Sequence, residues 1–187
     1  MVTSPSKTLS LAEFLQLPET KPASEYIDGQ IIQKPMPQGK HSRLQSKLVT
    51  AINEVAENPK IALAFPELRC TFGGRSLVPD VSVFRWDRIP KDENGDIANV
   101  FQFAPDWAIE ILSPDQNQTK VTGNILHCLS HGSRLGWLID PKTRSILVYP
   151  PGNQPEIFEA ESDNLPIPDF VTNFQLTLGQ LFSWLKL

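Results

Sequence analysis

Apolar residues in this chain recur at helical spacing over residues 41–57 and 119–131. The longest such stripe consists of Leu44, Leu48, Ile52 and Val55. Ser10 and Thr177 each begin a capping-box pattern, which marks the start of a shorter helix. The predicted helices cover residues 10–15, 41–57 and 119–131, and the last begins near residue 177.

Short apolar runs bounded by proline and glycine predict strands between these helices. Asp28-Gly29 is a turn signal and predicts a hairpin over residues 25–34. A second predicted hairpin joins residues 136–139 to residues 145–149. Further strands are predicted at residues 61–65, 68–72, 78–84 and 107–112. The mixed order of elements predicts an α/β (α+β) fold.

Composition limits the class of protein. A length of 187 residues with 40% hydrophobic content suits a single domain over residues 1–187, with a core at about 10–182. No apolar run is long enough for a membrane span, and residues 1–7 lack the apolar stretch of a signal peptide. Cys70 and Cys128 are too few for a disulfide scaffold, so we expect buried free thiols and a cytoplasmic protein.

The net charge of −4 and the isoelectric point near 5.4 bear on the partner. Proteins that coat nucleic acid without specificity are usually basic, so the charge argues against that class. A nuclease is still compatible with it, because bound divalent ions supply positive charge where the phosphate binds.

Two acidic residues stand within apolar strand patterns. Asp80 lies in Val-Pro-Asp-Val, and Glu110 lies between Ile109 and Ile111. A buried carboxylate is costly unless it is protonated, paired or bound to a metal. Because side chains alternate across a strand, each carboxylate is expected to point away from its apolar neighbours. Both are then able to project from one sheet face into a shared cleft.

Two carboxylates in one cleft suit Mg²⁺ or Mn²⁺, which prefer oxygen ligands and keep several waters. Taken singly, each residue is equally well explained as an edge residue that faces water or an arginine. Together Asp80 and Glu110 favour a metal site. We expect their carboxylates within about 6 Å of each other, and one of them to have a raised pKa because like charges repel.

Several short motifs in a fixed order strengthen this interpretation. They are Glu25-Tyr26-Ile27-Asp28-Gly29, His41, Pro79-Asp80, Glu110-Ile111-Leu112-Ser113-Pro114, Gly132 and Trp137-Leu138-Ile139-Asp140-Pro141. Their order and spacing resemble the Uma-two family of restriction endonucleases, in the PD-(D/E)XK nuclease superfamily. The resemblance spans roughly residues 10–182. It implies a restriction-endonuclease-like fold, in which a central mixed β-sheet is flanked by α-helices.

The resemblance also implies a site. Asp80 and Glu110 would be the metal ligands, and a basic residue would lie near the attacking water. The superfamily position for that lysine is Leu112, and the Uma-two position is Asn124, so neither is a lysine here. Lys120 lies one turn before Asn124 on the same helix face and is the predicted substitute. The alternative is that Lys120 is a solvated residue in the first helical turn.

Further candidates rank lower. Glu25 matches an acidic residue of the family and is either another ligand or the partner of a lysine. His41 opens a helix and either contacts phosphate or metal, or is structural. Glu67 approaches Asp80 if their strands are neighbours. Positive charge is enriched in the N-terminal third, which is a candidate for backbone contacts and more commonly a solvated face. The residues concerned are Lys7, Lys21, Lys34, Lys40, Arg43 and Lys47.

The sequence therefore predicts a metal-dependent endonuclease that hydrolyses phosphodiester bonds in DNA. Asp80, Glu110 and Lys120 would be its catalytic residues, and Mg²⁺ or Mn²⁺ its cofactor. A homodimer is compatible with cutting two strands. One alternative is a catalytically impaired module of the same fold that binds nucleic acid or protein. Another is a hydrolase that acts on a different phosphate ester.

Overall fold

A computed structural model describes residues 9–114 and 116–187. The prediction for residues 1–7 and the charge of Lys7 lie outside this part of the chain. In chain order the elements are α1 (Leu11–Phe14), β1 (Ser24–Ile27), β2 (Gln30–Gln33), α2 (Gly39–Ala56), β3 (Ala62–Pro66), β4 (Cys70–Phe72), β5 (Arg75–Leu77), β6 (Val81–Arg85), a 3-10 turn (Trp86–Arg88), β7 (Trp107–Ile111), α3 (Gln118–Ser130), β8 (Leu135–Asp140), β9 (Ser145–Tyr149), β10 (Glu156–Phe158) and α4 (Leu178–Ser183).

Six strands form the larger sheet, in the order β10-β9-β8-β7-β6-β3. The central strands β7 and β8 run parallel, and the other neighbouring pairs are antiparallel. The smaller sheet has the order β2-β1-β5-β4. The larger sheet is thus mixed and packed against helices, which confirms the predicted fold class.

Each face of the larger sheet has its own core. The stripe on α2 packs with α4 against one face, where Trp107, Ile109 and Ile111 of β7 point. On the other face Ala108 packs near Cys128 of α3 and near the smaller sheet. Burial of apolar surface on both faces leaves no solvated side for the central strands. The alternation predicted for β7 therefore directs Glu110 away from α2 and toward α3.

Local turn and cap chemistry agrees with the sequence. Asp28 and Gly29 have positive φ angles of 50° and 85°, the conformation that a two-residue turn between β1 and β2 requires. Ser10 and Thr177 cap α1 and α4, and both capping boxes are formed. These residues start and stop elements where the pattern predicts.

The predicted strand over residues 78–84 is wrong in one respect. β5 ends at Leu77 and β6 begins at Val81, so Asp80 stands in a bend between two strands that belong to different sheets. Pro79 has no N–H to give to a ladder. The N–H of Val78 donates instead to the Glu25 carboxylate at 2.8 Å. The chain therefore leaves the smaller sheet at Val78 and enters the larger one at Val81.

The two cysteines are buried free thiols, as predicted. Within residues 9–114 and 116–187, no helix is long and apolar enough to cross a lipid bilayer.

Candidate active site

The bend between β5 and β6 fixes the Asp80 carboxylate. Its Oδ2 accepts a hydrogen bond from the N–H of Ile111 at 2.7 Å and lies 3.0 Å from His41 Nε2. Its own backbone carbonyl accepts from the Gln45 side chain at 2.8 Å. The side chain is only 3% exposed. Residues from α2 and β7 thus hold one buried carboxylate in a single orientation.

Lys34 joins Asp80 to Glu110. It follows β2, and its Nζ donates to Asp80 Oδ1 at 2.6 Å and to the carbonyl of Val78 at 2.6 Å. The same Nζ lies 3.6 Å from Glu110 Oε2. Because Asp80 Oδ1 and Glu110 Oε2 both lie near this one Nζ, the two oxygens are at most about 6 Å apart. The sequence predicted a separation of that size. The lysine side chain is 12% exposed.

Glu25 and Asn124 complete the cluster. Glu25 is buried in β1, and its second carboxylate oxygen accepts from Asn124 Nδ2 at 3.1 Å. Asn124 is itself buried on α3. Three carboxylates, one ammonium and one amide therefore meet where β1, β6, β7 and α3 converge. We call the side chains Glu25, Lys34, Asp80, Glu110 and Asn124 the carboxylate cluster.

Charge and burial set the pKa values in this cluster. Burial alone would raise the pKa of Asp80, but Lys34 and the His41 hydrogen bond lower it well below its usual range. Burial raises the pKa of Glu110, against the opposing charge of Lys34, and the charges of Asp80 and Glu25 raise it further. Burial likewise raises the pKa of Glu25. One member of the predicted pair, Glu110, therefore has the raised pKa.

Lys34 itself stays charged. Burial alone would lower its pKa, but the carboxylates of Glu110, Asp80 and Glu25 raise it above its usual range. Its ammonium is the only lysine or arginine charge that forms ion pairs with Asp80 or Glu110 among the described residues.

The lower-ranked candidates divide into two groups. Glu25, His41 and Asn124 lie in or beside the carboxylate cluster. Glu67 touches Asp80 through its backbone N–H, 3.2 Å from the Asp80 carbonyl, while its side chain is exposed. Neighbouring strands therefore bring Glu67 close, as the sequence suggested, without burying its carboxylate.

Lys120 and Lys34 differ from the expectation. Lys120 is exposed in the first turn of α3, and in the described part of the chain it forms no ion pair with Asp80 or Glu110. Lys34, which the sequence placed among surface charges, provides the ammonium instead. It follows a polar strand edge and precedes Pro35, so no local pattern marks it as buried.

The carboxylates fit a divalent ion of the magnesium type. Among the described residues no three His, Cys, Asp or Glu side chains are grouped so that they could hold a metal by themselves. Mg²⁺ does not need such a cage, because it is usually bound by one or two carboxylates plus water and substrate phosphate. Asp80 and Glu110 are both buried and already face one cation, the Lys34 ammonium. These carboxylate oxygens are hard ligands, and burial holds them in place.

A mixed sheet between helices, with two buried carboxylates and a lysine meeting beside its central strands, defines a nuclease of restriction-endonuclease-like type. Residues 11–179 match the Uma2 (Uma-two) family, described as "Putative restriction endonuclease", and this chain belongs to that family. The family predicted from the sequence motifs is thereby confirmed.

The chain is also similar to a solved structure from Anabaena variabilis, described as a putative nuclease belonging to DUF820. The two share 60% sequence identity with a TM-score of 0.93, over 95% of this chain and 99% of the other. No curated protein matches this chain.

Proposed function

We propose that this chain is a metal-dependent endonuclease that hydrolyses phosphodiester bonds in DNA. Asp80 and Glu110 would hold Mg²⁺ or Mn²⁺. The observation that supports this most is the convergence of both buried carboxylates on one ammonium group. Such an ion polarises a phosphate and makes water a better nucleophile at neutral pH.

Lys34 would stabilise the negative charge that develops on the phosphate. The carboxylates around it raise its pKa, which favours the protonated ammonium and a role as a fixed charge. The Val78 carbonyl and Asp80 hold the ammonium at hydrogen-bond distance. A charge held in advance stabilises a transition state without having to reorganise.

Asp80 and His41 are oriented before any substrate binds. The Ile111 N–H fixes one carboxylate oxygen of Asp80, and His41 Nε2 lies against the same oxygen. This arrangement leaves His41 Nδ1 buried and without a hydrogen-bond partner among the described residues. His41 therefore positions Asp80 and retains one free ring nitrogen beside the site.

Plasmid cleavage tests the proposal. Supercoiled DNA is incubated with the wild type in Mg²⁺, in Mn²⁺ and in chelator, and nicked and linear products are measured. We expect cleavage only with metal, and a loss of about 10²-fold or more in Asp80→Asn and in Glu110→Gln. Asp169→Asn, which changes an exposed ion pair with Arg134, is the matched control. If the wild type cleaves nothing with any divalent metal, a binding module replaces the enzyme.

Linear product would further indicate that both strands are cut, for which a homodimer is expected. Sedimentation of the wild type measures that oligomeric state directly.

A further inference from the structure

A groove of about 780 Å³ opens beside the carboxylate cluster. Its walls include Gln38, Lys40, His41, Ser113, Gln116 and Lys142. His41, Ser113 and Gln116 also line the small pocket that contains Lys34 and Asp80. The groove therefore adjoins the proposed reaction site.

The N-terminus of α2 forms one wall of the groove. The N-cap residue Gln38 gives the first turn no side-chain hydrogen bond within the described residues, and that turn contains no acidic residue. A Cβ added at Gly39 would meet no described atom within 4 Å. The first N–H groups of a helix lack partners inside the helix, and its dipole favours an anion at this end. Lys40 adds a positive charge to this first turn. An acidic side chain would stabilise the helix better at that position, because the helix dipole favours negative charge there.

Two buried polar atoms of groove-lining residues have no hydrogen-bond partner among the described residues. Ser113 is 8% exposed, and its Oγ has no hydrogen bond among the described residues. His41 Nδ1 likewise has no hydrogen-bond partner among the described residues. A buried polar group without a partner costs free energy, and in native proteins such groups usually meet water, an ion or a ligand. These atoms indicate that the groove wall is built for a polar ligand.

The charge of the groove indicates an anion. Lys40 and Lys142 are exposed on its walls. Asp140 also lines the groove, but its Oδ1 accepts hydrogen bonds from the backbone N–H groups of Lys142 and Thr143. That carboxylate is thus engaged in its own turn, and among the described residues that line the groove two lysines stand against this one aspartate.

We propose that this groove binds a phosphate group of a nucleic-acid strand next to the bond that is cut. The N-terminus of α2 and the Ser113 hydroxyl would bind the phosphate oxygens, while Lys40 and Lys142 supply charge. The inference rests on the proposed function and adds the place where the substrate backbone lies. A helix N-terminus with adjacent lysines is a known physical solution for phosphate.

Binding of a short fluorescein-labelled DNA duplex tests the groove, measured by anisotropy in Ca²⁺ so that cleavage does not interfere. The double variant Lys40→Gln/Lys142→Gln should raise Kd about tenfold or more. The slope of log Kd against log salt concentration should decrease by about two, the amount expected for two lost phosphate contacts. Ser113→Ala should raise Kd about fivefold, the effect of one lost hydrogen bond. Melting curves check that each variant is folded.

Lys60→Asn is the matched control. Lys60 is exposed at the opposite end of α2, and asparagine tolerates its positive φ of 57°. We expect binding close to that of the wild type. An equal loss in this control would overturn the groove, because it would show only long-range charge. Unchanged binding in the double variant, or no duplex binding by the wild type, would overturn it as well.

Inorganic phosphate distinguishes a strand from a free anion. Displacement of the duplex only when phosphate raises the ionic strength supports a strand, whereas displacement at lower concentrations would overturn that assignment. The two proposals fail separately. If the wild type binds DNA through the groove but does not cleave it, only the endonuclease proposal is refuted. A wild type that cleaves while the groove variants bind normally loses the groove alone.

Discussion

Replacement of Lys34 by methionine removes one charge from the centre of the carboxylate cluster. Methionine keeps an unbranched apolar stem and lacks the ammonium. Asp80, Glu110 and Glu25 then lose the cation that faces all three. Removal of one partner from a buried ion pair costs about 3–5 kcal/mol. In a chain of this length, about 3 kcal/mol corresponds to a fall in Tm of roughly 6–12 °C.

The pH dependence of that loss identifies its cause. Lys34 lowers the pKa of Asp80 and opposes the rise at Glu25 and Glu110, so all three pKa values increase in the variant. An acid whose pKa is raised on folding favours the folded state when protonated, and this advantage disappears as pH rises through the raised pKa. The difference in unfolding free energy between wild type and Lys34→Met should therefore be larger at about pH 8 than at about pH 5. Urea unfolding at both pH values measures it.

Lys120→Met is the matched control, because it makes the same substitution at the lysine that the sequence favoured. Lys120 is exposed, so we expect unchanged stability at both pH values. Plasmid cleavage should fall by about 10²-fold or more in Lys34→Met and change little in Lys120→Met. A stability loss in Lys34→Met that is equal at both pH values would refute the charge argument and leave only packing. Loss of cleavage in Lys120→Met alone would return the catalytic role to Lys120.

A second substitution tests whether the charge itself matters. Asn124 Nδ2 lies 3.1 Å from the Glu25 carboxylate, so a lysine at residue 124 would point its ammonium toward the same cluster. Lys34→Met/Asn124→Lys should recover part of the lost stability and part of the lost cleavage. A double variant no better than Lys34→Met would show that the position of the charge, and not only its presence, is required.

Three further predictions follow from burial and pKa. Because folding lowers the pKa of Asp80, Asp80→Asn should lower the unfolding free energy at neutral pH, and this loss should become smaller as pH falls. Because folding raises the pKa of Glu110, Glu110→Gln should leave the unfolding free energy unchanged or raise it. Urea titrations that show the reverse order would contradict the assigned charges. Burial raises the pKa of the Cys70 thiol to about 12, so neither cysteine should react with a thiol reagent at neutral pH until the protein unfolds, and rapid labelling of native protein would count against a closed core. A Cβ at Gly136 would lie 2.3 Å from the Ile125 side chain, so Gly136→Ala should cost about 1–3 kcal/mol in thermal or urea unfolding, and a neutral result would mean that α3 shifts freely on β8.

The elements that the sequence predicts best are those whose signals are local. The stripe on α2, the turn at Asp28-Gly29 and the capping boxes each lie within a few residues, and each is formed. The predicted strand over residues 78–84 begins three residues too early, because the apolar pattern of β6 continues back across Pro79 to Val78. The bend there involves Glu25 of β1, whose carboxylate accepts a hydrogen bond from the Val78 N–H. A contact between residues so far apart leaves no local trace in the sequence.

The same distinction separates Asp80 and Glu110 from Lys34. A carboxylate between apolar residues is unusual, so the sequence alone marks Asp80 and Glu110 as candidate site residues. Lys34 stands in a polar stretch before Pro35, and its burial arises only when β2 packs near Val78 and Asp80.

Once three carboxylates are known to be buried together, charge balance narrows the search for their cation. Three carboxylates buried together are costly unless they are protonated, bound to a metal or paired with a cation. The helix position expected to provide it holds Asn124, whose amide donates to Glu25 without adding charge. A lysine from elsewhere in the chain must then enter the cluster, and the candidates are the lysines near the motifs that carry the carboxylates. Lys34 closes the hairpin that begins at Glu25. The neutral Asn124 and the buried Lys34 are therefore two parts of one arrangement, in which the cation reaches the carboxylates from the hairpin and not from α3.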